Sequence, residues 1–417
     1  MYSRNSVSIA SISRRSFLGA ALLGPAALTA RLQAEGASIP KIRITGVKAH
    51  HLKGKLKQRF GWSLNWTDTR EAVLVEVTTD AGLTGWGDGG YAPELLRRDK
   101  QLVIGRSPFE VESIFESLRP PARGQSKMGP PAGGGIDVAL WDIAGQALGR
   151  PVCELLGHVY RTRVQPYCTA LYRKDWPDLA VGLAEEARGW KERGFKSMKM
   201  KIGYGPDVDV EIVRAVRKAI GNRIGLGVDA NCAYDDGTAV MLGRQLEEFD
   251  LMWWEEPIPA DDFTGYERLR QSLRIPLASG ESCDLDWLIR HYVKPQLVDI
   301  IQPELTQVGL TGGRILTHLC QLNKVRLAPH NWGTAVRTAG ELHWMACCPP
   351  VSGAVTPPPV TFEFDQTENP FRDAVVKQRI EIDKSDGCIA VPMRPGLGID
   401  IVREAVEEYR TNAVAFA

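Results

Sequence analysis

The chain has 417 residues, with 51 Lys+Arg against 50 Asp+Glu, a formal net charge of +1 and 44% apolar residues. That apolar share excludes a disordered chain, and the charge balance gives no electrostatic reason to expect nucleic acid. The length allows two or three domains of about 150 residues, or one barrel with an addition.

The first 34 residues carry Arg4, Arg14, Arg15 and Arg31 and no acid. Ser13-Arg14-Arg15-Ser16-Phe17-Leu18 reads as a twin-arginine export signal, followed by an apolar run from Phe17 to Leu28 and small residues near Ala34. A run this short cannot span a bilayer core of ~30 Å as a helix. Residues 1–34 are therefore expected to be a cleaved signal, giving a periplasmic protein with no membrane anchor after cleavage. The eight cysteines form no C-x-x-C pair, and are expected to be mostly buried apolar residues.

Past Pro40, Ile42, Ile44 and Val47 open a strand, and Ala72 to Thr79 a second, with a turn at Asp80-Ala81-Gly82 before Thr84-Gly85-Trp86-Gly87. Lys53 to Thr69, polar and aromatic, is expected to be a functional loop. Helical patterns run from Pro93 to Leu118, and Gly129 to Gly135 is a Pro/Gly loop. Ile136 to Leu148 is apolar at helical spacing and stops at Gly149-Arg150-Pro151.

From about Val164 short apolar runs alternate with amphipathic helices. The runs are Val164–Ala170, Lys196–Ile202, Ile224–Asp229, Leu251–Glu255, Pro276–Glu281, Val298–Gln302, Val325–His330 and a weaker one near Val360–Phe364. Eight such units predict a closed parallel barrel. The fold class is thus α/β, a (β/α)8-type barrel in the form (β/α)7β over residues 161–379. An N-terminal α+β capping domain occupies 41–160. It is completed by segment 380–417, whose Ile380 to Tyr409 reads as two short strands and a terminal helix.

Reacting groups of such barrels sit at the C-terminal strand ends. Strand two ends Lys199-Met200-Lys201, strand three Asp229-Ala230-Asn231, strand four Glu255-Glu256-Pro257 and strand five Gly280-Glu281. Pro303-Glu304 follows strand six, Pro329-His330 ends strand seven and Glu363 lies near the end of strand eight. Asp229, Glu255 and Glu281 are 26 positions apart in turn, about one βα unit, so three carboxylates fall at one level. Converging anions repel, and a hard divalent cation such as Mg²⁺ resolves that. Lys199 and Lys201 share a face; their mutual repulsion is expected to lower one pKa, suiting a general base. His330 lies across the barrel with Glu304 beside it to fix its tautomer. A cation gripping a substrate carboxylate, with bases on both faces, suits abstraction of the proton α to that carboxylate.

At these residues the sequence resembles the enolase superfamily, mandelate racemase subgroup, over about Lys41 to Arg410. The motifs are Lys199-Met200-Lys201-Ile202-Gly203, Val228-Asp229-Ala230-Asn231, Trp254-Glu255-Glu256-Pro257, Gly280-Glu281, Pro329-His330-Asn331-Trp332-Gly333-Thr334 and Ile136-Asp137-Val138-Ala139-Leu140-Trp141-Asp142. Within the subgroup His330–Thr334, Glu363–Phe371 and Pro395–Ile399 are most similar to D-galactarolactone cycloisomerases. The resemblance implies Asp229, Glu255 and Glu281 as Mg²⁺ ligands, Lys201 as one base tuned by Lys199, and His330 as base or acid on the other face. It implies Glu363 as a hydrogen-bond partner of the substrate carboxylate, Asn231 as a site-lining residue, and a homo-oligomer. The cap loop Lys53–Thr69 would contact the substrate's far end. Two positions depart from the family pattern: Glu304 where Asp is usual, and Asp88 after Gly85-Trp86-Gly87 where Glu is frequent. Asp88 is assigned no chemistry.

The expected function is Mg²⁺-dependent proton abstraction from an acid sugar or its lactone, with β-elimination opening the lactone ring. An acid-sugar dehydratase or an epimerase would use the same residues. The rival from another class is an exported sugar-acid binding protein on a dead barrel, against which no catalytic residue type is missing.

Overall fold

A long antiparallel hairpin opens the fold: β1 (Ile44–Trp62) and β2 (Asn65–Thr79), joined to β3 (Thr84–Asp88). The structure, a computed structural model, describes residues 39–89, 100–119, 133–350, 352–355 and 357–417, and Ile42–Ala417 forms one compact unit. The export signal and most of the Pro/Gly loop lie outside the described residues, as does part of the helical pattern begun at Pro93. Segment Lys53 to Thr69 is not a loop. It is the outer half of the hairpin, paired as far as Trp62↔Asn65, with the turn at Ser63 and Leu64. Leu52, Leu56 and Phe60 are buried while Lys53, Lys55 and Lys57 are exposed. This period-two alternation was present in the sequence, masked by its lysines.

The helix Gly134–Leu148 is apolar around most of its circumference because it is buried from Gly134 to Gly145. Strand β3 presses on it so closely that a Cβ at Gly87 would lie 1.9 Å from the Gly135 carbonyl oxygen, and one at Gly85 2.1 Å from that of Ala139. This is why a glycine flanks Trp86 on each side. Asp142 accepts from the backbone N–H of Trp86 (3.0 Å) and of Leu397 (2.8 Å), binding the cap to the C-terminal segment. Asp137 accepts from the backbone N–H of Thr311 at 3.0 Å, reaching the helix Leu305–Asn323.

After the two-residue strand β4 (Arg163–Val164) come the eight strands expected from the apolar runs. They are β5 (Tyr167–Leu171), β6 (Ser197–Lys201), β7 (Gly225–Asp229), β8 (Trp253–Glu255), β9 (Leu277–Ser279), β10 (Ile300–Ile301), β11 (Arg326–Leu327) and β12 (Glu363–Asp365). Their order in one parallel sheet is β11-β10-β9-β8-β7-β6-β5-β12. The Glu363 N–H donates to the Pro329 carbonyl at 3.0 Å and joins the two ends of the sheet. Helices Leu179–Glu192, Pro206–Ile220, Asp236–Leu246, Phe263–Ser272, Leu285–Val293, Leu305–Asn323 and Ala335–Cys347 follow β5 to β11 in turn. This is the (β/α)7β pattern.

The tail adds β13 (Ile389–Ala390), antiparallel to β4, the helix Arg403–Tyr409, and β14 (Arg410–Phe416), which pairs with β1 at the edge of the cap sheet. Strand β14 was not expected; the helix ends at Tyr409, and Arg410 is already extended. None of the eight cysteines forms a disulfide, and five are buried. Among the described residues no helix is long and apolar enough to cross a membrane.

Buried Glu76 ties this tail to the sheet, accepting from His50 Nε2 at 2.9 Å and from Arg403 at 2.7 Å. Burial alone would raise its pKa, but hydrogen bonds from His50 and Arg403 win and hold it at about 2. A carboxyl depressed in the folded state stabilises above its unfolded pKa and loses that contribution as pH falls from about 4.5 to about 2. We expect Glu76→Gln to cost on the order of 2–3 kcal/mol at pH 7. The difference in stability from the parent protein, read by denaturant unfolding, should shrink below pH 4.

Candidate active site

The strand ends bring most of the expected residues together. Lys199 and Lys201 alternate with Met200 on β6 and both are buried in the barrel mouth. Lys201 is in register with Asp229 of β7, and Asp229 with Glu255 of β8. Glu281 differs from the expectation of one level: Glu255 is in register with Ala278, and Glu281 follows the end of β9, beyond Gly280. It reaches back from the loop, so that one oxygen from each of Asp229, Glu255 and Glu281 lies within 4.8 Å of the others.

The lysines sit among these anions. Lys199 Nζ donates to Glu255 Oε1 at 2.7 Å and lies 3.1 Å from Glu363 Oε1 and 3.4 Å from Asp229 Oδ2. Lys201 Nζ donates to Asp229 Oδ2 at 2.5 Å and to Asn231 Oδ1 at 2.9 Å. The expected lowering of one lysine pKa is therefore overturned in this arrangement. Burial, the largest single effect, and the neighbouring ammonium act downward on Lys201, but Asp229, Tyr172 and Glu281 together outweigh them; Glu255, Glu363, Tyr167 and Asp229 together do the same against burial for Lys199. Both amines are held protonated. Asp229 is held well below its usual range, because its two lysines overcome the effect of burial.

The acids nonetheless outnumber the amines. Burial and the charge of Asp229 push Glu255 well above the usual carboxylate range, and Glu281 Oε2 is buried with no hydrogen-bond partner among the described residues. A buried, all-oxygen cluster with negative charge left over fits a hard divalent cation.

His330 follows β11. Its Nε2 is 3.4 Å from Glu281 Oε2 and 3.6 Å from Glu363 Oε2, and its Nδ1 is 3.6 Å from Glu304 Oε2, an ionic contact longer than a hydrogen bond. Burial would lower its pKa, but the three carboxylates raise it to about 10. Glu363 is buried, its second oxygen accepting from the backbone N–H of Asn331 at 3.0 Å. Asn231 adopts φ 45°, and its N–H donates to Asp229 Oδ1 at 2.9 Å.

Sequence reasoning missed several neighbours. Gln302, at the end of β10, donates to Glu255 Oε2, as does Trp253 Nε1 at 3.3 Å. The Tyr172 ring centre lies 5.4 Å from Lys201 Nζ and packs with Phe60, Trp62 and Trp332 into an aromatic wall under the hairpin tip. Ser63 Oγ fastens that tip, donating to the Ala230 carbonyl at 2.7 Å. Asp88, given no chemistry above, pairs with Arg337, which also binds Glu304. Aromatic residues in Phe60-Gly61-Trp62 were the available signal for the wall; nothing in the sequence signalled the Arg337 pairing.

Residues 47–157 match the family described as mandelate racemase/muconate lactonizing enzyme, N-terminal domain, and residues 182–405 match enolase C-terminal domain-like. The D-galactarolactone cycloisomerase of Agrobacterium fabrum is 35% identical over 88% of this chain and 99% of its own length. The arabinonate dehydratase of Saccharolobus solfataricus is 31% identical over 82% and 91%. The solved structure of 3,6-anhydro-D-galactonate cycloisomerase from Zobellia galactanivorans superposes with a TM-score of 0.76 at 34% identity, covering 89% of this chain and all of that one.

Proposed function

The chain belongs to the mandelate racemase/muconate lactonizing enzyme family of the enolase superfamily, and from that premise we propose that it is a Mg²⁺-dependent cycloisomerase of an acid-sugar lactone. The observation that carries this reading is the convergence of Asp229, Glu255 and Glu281 within 4.8 Å, with Lys201 on one side and His330 across the barrel. Two relatives are named as cycloisomerases, which supports a reaction at a ring over simple epimerisation.

Asp229, Glu255 and Glu281 would hold the cation. Bound there, it would neutralise charge developing on the substrate's carboxylate oxygens and take the place of Lys201 as the partner of Asp229. Released from Asp229, Lys201 would lose the carboxylate that does most to keep it charged and, as the neutral amine, removes the proton α to the free carboxylate. Lys199, between Glu255 and Glu363, opposes the rise of the first, helps keep the second ionised and holds both in place. Electrons from the broken C–H bond form a carbon–carbon double bond as the β-carbon–oxygen bond of the lactone breaks. His330, placed at the other face and oriented by Glu304, gives its proton to the departing ring oxygen. The carboxylic acid so formed ionises in water, and the resulting enol takes a solvent proton at the β-carbon as its hydroxyl proton is lost, giving a linear 2-keto acid. Nothing is oxidised or reduced overall. Asn231 and Glu363 line the reacting end of the substrate, and the wall of Phe60, Trp62, Tyr172 and Trp332 excludes water from the other.

Incubation with Mg²⁺ and a panel of aldaric lactones, anhydro acid sugars and open acid sugars, followed by NMR in D₂O, tests this. We expect ring opening to a 2-keto acid with solvent deuterium at the β-carbon. Turnover of open acids alone would make the chain a dehydratase, and α-exchange with inversion to the epimer, without elimination, an epimerase. Absence of both with every compound would overturn the reading.

A further inference from the structure

We infer that Arg337 is a positioning residue that joins the cap to the reacting centre, fixing Glu304, and through Glu304 the imidazole of His330, from an anchor on Asp88 of β3. This rests on the reading of His330 as the proton donor.

The two oxygens of Glu304 are divided between two partners. Oε1 accepts from Arg337 Nη1, and Oε2 faces His330 Nδ1 at 3.6 Å. A glutamate carries a carboxyl on three rotatable bonds, and binding one oxygen to a fixed guanidinium removes that freedom. Arg337 is fixed in turn. Its Nη2 and Nε donate to Asp88 Oδ1 at 2.7 and 3.3 Å, and it is only 7% exposed. The other oxygen of Asp88 accepts from the backbone N–H of Thr334 at 2.6 Å, at the start of the helix that carries Arg337. Both oxygens of this one cap residue therefore hold the segment running from His330 to Arg337.

The fit leaves little slack. A Cβ on Gly333 would lie 2.3 Å from Arg337 Nε and 2.8 Å from Asp88 Oδ2, and one on Gly89 3.2 Å from Arg337 Nη2. Glu341, one turn along the same helix, makes no hydrogen bond to the guanidinium. It is fully buried with neither oxygen hydrogen bonded, and burial pushes its carboxyl well above the usual range although the charge of Arg337 acts the other way. The hydrogen bonds of Arg337 go to Asp88 and Glu304.

The test uses full-length protein with Asp88→Asn, which keeps the shape of the anchor and removes its charge, and Arg337→Lys, which keeps a charge and loses the fork. Glu341→Gln, matching a neutral acid in shape, is the control and should keep kcat within twofold. For both bridge variants we expect kcat for ring opening to fall at least tenfold with KM unchanged. Exchange of the substrate α-proton with D₂O, which needs Lys201, should fall less, so that the ratio of exchange to product rises at least fivefold. Equal loss of both would show a merely structural role and overturn the inference, as would no loss. A second readout needs neither substrate nor metal. The ¹⁵N resonances of His330, assigned with a His330→Asn variant, should shift in Asp88→Asn while the other histidines do not. If no substrate in the panel reacts, the functional reading fails and this spectrum alone decides; an unchanged His330 signal overturns the bridge.

Discussion

Replacing Lys201 by Met is expected to lower kcat/KM by at least about 10³-fold, the upper range for loss of a positioned general base. Methionine fills a similar volume and cannot carry a proton. The substitution also removes the donor to Asp229 and Asn231, but Lys199 remains 3.4 Å from Asp229 Oδ2, so that the buried anion keeps one cation. The protein should fold, and the loss should lie in kcat. The decisive check is exchange of the substrate α-proton in D₂O, which should vanish together with turnover. Retained exchange would place the base elsewhere.

Removal of divalent cations by EDTA should abolish turnover, and Mg²⁺ should restore it. Glu281→Gln is the most informative ligand variant. Glu255 is held by Lys199, Trp253 and Gln302 and Asp229 by Lys201 and Asn231, whereas Glu281 Oε2 accepts no hydrogen bond and has only the longer ionic contact with His330 at 3.4 Å. Its fold should therefore survive the change while Mg²⁺ binding weakens at least tenfold. Thermal unfolding measures this without substrate. A ligand present at 100 times its Kd stabilises the native state by ~2.7 kcal/mol, so the parent protein should melt several degrees higher in excess Mg²⁺. The variant should need at least tenfold more Mg²⁺ for the same rise.

The barrel was legible because most of its strands are buried on both faces and read as short apolar runs between helices. The reacting groups were legible because barrel topology sends strand ends to one mouth, so Lys199, Lys201, Asp229 and Glu255 could be placed by position alone. Glu281 was placed correctly in space but for an incomplete reason, since its spacing of 26 hides the register step that puts it on a loop. The lysine protonation states were not legible. They depend on how many carboxylates converge on each amine, and Glu363 comes from a strand 164 positions beyond Lys199, the amine it meets. The hairpin failed for a different cause. Its outer half alternates lysine with small or apolar residues, and a strand that lies over another domain needs only one apolar face. Asp88 and Arg337 are 249 positions apart, and nothing local marks either as one end of a pair.

The account turns on one cation bound by three acids in the barrel mouth. Crystals soaked in Mn²⁺, measured at an energy where manganese scatters anomalously, test it most directly. We predict a single anomalous peak in contact with one oxygen from each of Asp229, Glu255 and Glu281, with Lys201 released from Asp229. Manganese bound elsewhere on the protein, with this trio bare and Lys201 still seated on Asp229, would contradict it.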